Sequence, residues 1–176
     1  DLSGFAVFCA SNSGRTKELI RLFKLVRERN SSIPLIGITA SKQQLISDVS
    51  HMTHVLSCGS EKAVAATKSV IEQALFYQAL FTAARGETLS GFETFSNAFE
   101  AVLNSSVPSA WIERLKKAPR IYFAGRNDGV AEELTLKINE ITRKPSVYLE
   151  GTYALHGIEE VMKKDEVLIL IEPFED

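Results

Sequence analysis

Short apolar runs separated by helix-length amphipathic segments constrain this chain more than any other feature. Phe5 to Ala10 (FAVFCA), Ile33 to Thr39 (IPLIGIT) and Thr53 to Cys58 (THVLSC) each have the length of a single strand. Runs of this kind suit parallel strands covered on both faces. Between the first two, Thr16 to Arg29 sets Leu19, Ile20, Phe23 and Val26 at helical spacing, with Lys, Arg and Glu opposite. Gln43 to Val49 reads as a short helix. This rhythm predicts an α/β fold built on a doubly wound parallel sheet. It restarts at Arg120 to Ala124 (RIYFA) and continues through a turn over Gly125 to Asp128 and a helix over Val130 to Thr142. A short strand over Val147 to Leu149, a helix or turn over Thr152 to Lys163 and a strand over Glu166 to Ile171 complete it.

The stretch between the two rhythms is helical. Glu61 to Ala84 is apolar over most of its circumference, which predicts burial on several sides. It carries Lys68, Glu72, Gln73 and Gln78, so it reads as a buried or interface helix and not as a membrane span. Leu89, Phe92, Phe95, Phe99, Val102 and Leu103 recur at helical spacing, and Pro108 opens a further helix with Trp111 and Leu115 expected to face inward.

Composition narrows the function classes. A chain of 176 residues, 45% of them hydrophobic, can bury a real core. A formal net charge of −2 offers no basic footprint for nucleic acid and favours a small-molecule ligand. Cys9 and Cys58 lie in apolar, strand-like runs outside any CxxC, as expected of buried thiols in a reducing compartment. The N-terminus has no basic start before its apolar run, so no signal peptide is read there and a cytoplasmic location is expected. The chain opens almost directly on one buried-looking strand and closes on another. It is therefore expected to be cut from something larger, since two sheets ending there would carry unpaired edges.

Three constellations carry possible chemistry. The loop Ser11-Asn12-Ser13-Gly14-Arg15-Thr16 joins a strand to a helix. A helix N-terminus, three hydroxyls, an amide and a glycine suit a phosphate; a serine-capped polar turn has the same pattern. No Lys stands at the Walker position, so this is not a nucleotide P-loop. Glu133, Lys137 and Glu140 fall within an arc of roughly 60° on one helix face. They can serve proton transfer, or form an exposed i,i+4 ion pair. His156, before Gly157, is the third candidate, and a cap or a surface residue has the same pattern. His51 and His54 have no evident third ligand, so no metal site is read there.

Taken in order, these motifs resemble the sugar isomerase (SIS) domain family. The loop from Ser11 to Thr16 matches its Ser-x-Ser-Gly-x-Thr phosphate motif, and Glu61 to Ser69 (EKAVAATKS) is similar to a stretch of the aminosugar branch. That branch holds the isomerase half of glutamine–fructose-6-phosphate amidotransferase and the SIS-type glucosamine-6-phosphate deaminases. Gly125-Arg126, Glu133, Lys137, Glu140 and His156-Gly157 match the opening of its second SIS unit, without gaps from Glu133 to His156. The resemblance implies flavodoxin-like parts of two units: 1–86 from the first, 119–176 from the second, and a helical connector over 87–118. It implies that Ser11, Asn12, Ser13 and Thr16 hold the sugar phosphate. Glu140 would shuttle a proton between C1 and C2, with Glu133 and Lys137 orienting it. His156 would assist ring opening from a neighbouring subunit, which implies a homodimer. No cofactor and no metal are implied, and neither nucleic acid nor membrane is an expected partner.

The chain departs from the branch at Leu155-His156-Gly157-Ile158, where Lys-His-Gly-Pro is usual, at Arg143 to Val147, and at Ala66, where the amidotransferase has Ser. The implied activity is aldose–ketose isomerisation or deamination of an aminosugar phosphate such as glucosamine 6-phosphate, an isomerase or a hydrolase. The alternatives are the amidotransferase's isomerase domain and a phosphosugar sensor without turnover.

Overall fold

Apolar strands need cover, and the chain packs a core against each of two sheets, although Leu168 and Leu170 of the last strand stay 40% and 65% exposed. The structure, a computed structural model, describes residues 2, 4–42, 44–125, 129–150, 153–154 and 156–171. The chain divides into two compact units, Asp1–Gly91 and Phe92–Asp176.

The first unit runs β1 (Val7–Ala10), α1 (Lys17–Arg29), β2 (Leu35–Thr39), α2 (Leu45–Val49), β3 (Met52–Val55) and α3 (Lys68–Ala84). The strands are parallel in the order β1-β2-β3, with Cys9 opposite Gly37 and Gly37 opposite Thr53. Alternate side chains go to opposite faces. Cys9 and Leu35 join Phe23 and Val26 of α1 and Ile46 and Val49 of α2, with Leu19 and Ile20 partly buried beside them. On the other face Ile38, Ala40 and Leu56 pack with Phe8, Phe76 and Tyr77. Gly37 permits α2 to lie close, since a Cβ there would meet Ser50 Oγ at 2.6 Å.

Two expectations fail in this unit. The helix expected from Glu61 starts at Lys68 instead, because the Glu61 carboxylate accepts from Ser69 N (3.2 Å), Ser69 Oγ (2.8 Å) and Thr67 Oγ1 (3.2 Å) and so fixes 61–67 as a loop. Burial on several sides of α3 is not found either. Only Ser69 and Thr82 are buried among its residues and Phe81 is 63% exposed, because one face alone meets the sheet. Gln43, expected to open α2, lies outside the described residues, and the helix is observed from Leu45.

The second unit runs α4 (Phe92–Asn104), α5 (Ser109–Lys117), β4 (Ile121–Gly125), α6 (Val130–Thr142), β5 (Ser146–Glu150), a 3-10 turn (Ile158–Glu160) and β6 (Val167–Ile171). Its strands are parallel in the order β5-β4-β6, so the chain steps outward from β4 and then returns across it, as a doubly wound sheet does. Ile121, Phe123 and Ala131 form the core on the α6 face, while Tyr122, Ala124, Leu149 and Ala154 form it on the other. The expected inward pair on α5 splits. Leu115 packs on the Ile121 cluster, but Trp111 is 66% exposed. The helix docks by its last turn, where Lys144 Nζ donates to Ala118 O (2.5 Å) and Arg114 Nη2 to Lys164 O (2.6 Å), and Trp111 lies a turn away from that end. The turn residues Arg126 to Asp128 lie outside the described residues, as do Thr152 and Leu155 of the segment read as a helix or turn.

Glu166 ties the amino ends of β4 and β6 together. Its side chain is 7% exposed, and its Oε2 accepts from Lys163 N (2.9 Å) and from the Tyr122 hydroxyl (3.2 Å), which itself accepts from Arg120. The Lys163 N–H bond, ahead of an opposing effect of burial, and then Tyr122 and Arg120 hold this carboxyl below its usual range. A depressed value stabilises the fold above the unfolded carboxyl's value of about 4.3, and that stabilisation is lost as pH falls through the folded value. Glu166→Gln should therefore speed amide hydrogen exchange in β4 at pH 7, and the difference from the parent should shrink below about pH 4. Tyr122→Phe should cost about 1 kcal/mol by the same measurement.

Candidate functional site

Parallel strands deliver their connecting loops to one end of a sheet, and ligands of open α/β folds bind there. In the first unit the loops after β1, β2 and β3 line a cavity of about 220 Å³, open to solvent, with Asn12, Ser13, Arg15, Ser41, Gln44, Ser60 and Glu61 on its walls. The 11–16 loop is held by its main chain. Ser11 N donates to Ile38 O (2.8 Å), Ala40 N to Asn12 O (3.1 Å) and Ile46 N to Gly14 O (2.9 Å). Gly14 has φ +64°, and a Cβ there would meet Gln44 Cβ at 2.3 Å and Thr39 Oγ1 at 2.9 Å.

The loop is not a capped turn. Thr16 occupies the cap position of α1, but its side chain makes no bond to the helix. Its Oγ1 instead pairs with Ser11 Oγ at 2.7 Å. The first-turn N–H groups of α1 thus lack a side-chain acceptor, which is the condition that favours an anion. Ser11 is buried and Ser13 exposed, with Ser13 Oγ accepting from Arg15 N (3.3 Å). Asn12 Oδ1 is buried without a donor among the described residues. Across the cavity Ser41 and Ser60 pair through their hydroxyls at 2.6 Å. Glu61 is held below the usual carboxylate range, first by the Ser69 hydroxyl, so it is ionised at neutral pH.

In the second unit, α6 brings three of the expected residues together. Lys137 Nζ lies 2.8 Å from Glu140 Oε2 and 3.3 Å from Glu133 Oε1. The Lys137 side chain is 16% exposed, and each carboxylate 36%. Burial works against the Lys137 charge, but the bonds to Glu140 and Glu133 outweigh it and raise its pKa. It is therefore a fixed cation and not a neutral amine available as a nucleophile. His156 is exposed, and its side chain has no hydrogen-bond partner among the described residues; its N donates to Tyr153 O at 3.4 Å. Ser11, Asn12, Ser13 and Thr16 belong to the first unit, and Glu133, Lys137, Glu140 and His156 to the second. His51 and His54 do separate work: His51 Nδ1 accepts from Leu35 N (3.0 Å), and His54 stacks on Phe76 with ring centroids 4.4 Å apart.

A family model for the SIS domain matches residues 3–83, the span that holds this loop and cavity. The chain is 27% identical over 139 residues to the isomerizing glutamine–fructose-6-phosphate aminotransferase of Sulfolobus acidocaldarius, a match covering 77% of this chain and 23% of that protein. Its fold matches the C-terminal domain of glucosamine-fructose-6-phosphate aminotransferase from Francisella tularensis, with TM-score 0.69 at 16% identity over 99% of this chain and 54% of that one. It also matches tagatose-6-phosphate ketose/aldose isomerase from Escherichia coli, with TM-score 0.72 at 18% identity over 93% and 47%. The chain spans about half the length of these solved structures. At such identities the likeness is one of fold, a mixed α/β chain with parallel sheets.

Sequence reasoning missed the cavity residues that lie outside the 11–16 loop: Ser41, Gln44, Ser60 and Glu61. A signal existed, since each lies just beyond the carboxyl end of a strand. Gly14→Ala should destabilise the first unit by both its positive φ and the clash with Gln44, about 1–3 kcal/mol for the backbone alone. Gly86→Ala, at φ +76° with open space around the added Cβ, should show the backbone part only. Urea denaturation of the two variants would separate them, and equal losses would contradict the close approach of Gly14 and Gln44.

Proposed function

We propose that this chain binds a phosphorylated sugar at the 11–16 loop and serves the isomerisation or deamination of an aminosugar phosphate such as glucosamine 6-phosphate. The observation that carries this reading is the uncapped start of α1 beneath a hydroxyl-bearing loop, at the carboxyl ends of three parallel strands. The phosphate sits on the first-turn N–H groups with the hydroxyls of Ser11, Ser13 and Thr16, and Asn12 turns to the same ligand. The identity with an isomerizing aminotransferase over 77% of the chain supports an aminosugar.

Glu140 is the proton carrier in this reading. Its carboxylate takes the proton from C2 of the open-chain aldose and returns it at C1, through an enolamine when C2 bears nitrogen. The resulting C2 imine adds water and expels ammonia, leaving fructose 6-phosphate. Lys137, fixed as a cation between Glu133 and Glu140, holds the carrier in place. His156 opens the sugar ring from a neighbouring subunit of a homodimer. Its exposed side chain, without a partner among the described residues, is free for that role. The proton carrier and the substrate's own carbonyl perform the reaction, so the reading calls on no cofactor.

A coupled assay should detect fructose 6-phosphate and ammonia from glucosamine 6-phosphate with the native protein. Glu140→Gln should lower turnover about 10²–10⁴-fold while sparing binding. Binding without turnover in the parent would make the protein a phosphosugar sensor, and full activity in Glu140→Gln would remove Glu140 as the base.

A further inference from the structure

Arg15 lies inside the loop motif, yet no role above uses its side chain. Its Nε donates to Gln44 Oε1 at 2.8 Å, and Gln44 Nε2 donates to Lys42 O at 3.1 Å. That second bond turns the amide oxygen towards the guanidinium. Gln44 stands immediately before α2, and its Cβ fills the space that a side chain on Gly14 would need. Both residues line the 220 Å³ cavity. Among the described residues, Nη1 and Nη2 of Arg15 have no hydrogen-bond or ion-pair partner. The Glu61 carboxylate on the same cavity is bonded to Thr67 and Ser69 instead and forms no ion pair with Arg15.

A neutral amide orients a guanidinium without cancelling its charge, whereas a carboxylate would do both. The rest of the loop attracts anions only through dipoles: hydroxyls, main-chain N–H groups and the start of α1. A phosphate monoester brings close to two formal charges at neutral pH. The one full positive charge that the 11–16 segment offers is Arg15.

We infer that Arg15 reads the charge of the ligand and that Gln44 is its positioning residue, so that the site selects a phosphate monoester dianion through the free edge of the guanidinium. The inference rests on the phosphosugar reading of the same loop. Gln44 acts only through Arg15, so its contribution disappears when the guanidinium is gone.

Calorimetric titration of fructose 6-phosphate into the native protein tests this, using Arg15→Gln, Arg15→Lys, Gln44→Ala and the Arg15→Gln/Gln44→Ala double variant. Arg15→Gln should weaken binding roughly tenfold to hundredfold. It should also flatten the dependence of affinity on salt. Arg15→Lys should recover part of the loss. Gln44→Ala should weaken binding several-fold in the parent but have no effect in the Arg15→Gln background. Unchanged binding by Arg15→Gln would overturn the inference and leave the phosphosugar reading standing. An equal loss from Gln44→Ala in both backgrounds would overturn the positioning role. Failure of the parent to bind would sink the phosphosugar reading and this inference with it.

Discussion

The main-chain bonds that tie residues 11–14 to the β2–α2 connection are the constraint on which the rest of the site depends. Ser11 N, Asn12 O and Gly14 O are each committed to a partner on β2, on the residue after it, or on α2. Thr39 Oγ1 adds a second donor to Asn12 O at 3.2 Å. A loop held by its backbone does not need its side chains for its own shape. Ser11 and Thr16 are thereby free to pair with each other rather than cap α1, and the helix start stays open. Packing beneath the loop depends on the same arrangement, because Ile46, whose N–H reaches Gly14, is also fully buried in the core between α1 and the sheet.

Much of the fold was legible from local pattern. The spacing of Leu19, Ile20, Phe23 and Val26 gave the buried face of α1, and α6 spans Val130–Thr142 as its periodicity requires. Strand positions held within a few residues for β1 to β6, since an apolar run bounded by turn residues carries its own limits. What failed depended on contacts far along the chain. Glu61 lies in a stretch with helical periodicity, but a carboxylate eight residues before Ser69 takes that residue's N–H and delays the helix. Trp111 and Leu115 share a helix face by spacing, and only the docking of one end of α5 separates their fates.

The site was legible in a different proportion. Spacing alone brought Glu133, Lys137 and Glu140 onto one face, and the ion pairs between them follow from helix geometry. Gln44 could not be found the same way. It stands 29 residues from Arg15, and the register of β1 against β2 is what brings the two into contact. Sheet order was also hidden, because β1-β2-β3 and β5-β4-β6 arise from similar strand–helix rhythms and differ only in the direction of the second crossover.

Gly14 and Arg15 are neighbours with opposite tolerances for change. Any side chain at position 14 meets Gln44 and Thr39, so a mutation there alters the shape of the loop. The Arg15 side chain is exposed, and its replacement leaves the main-chain ties of the loop untouched. Descendants of this sequence can therefore change the charge at this cavity by single substitutions, while the geometry of the loop stays locked. Divergence in ligand preference on such a scaffold needs no change in the buried core.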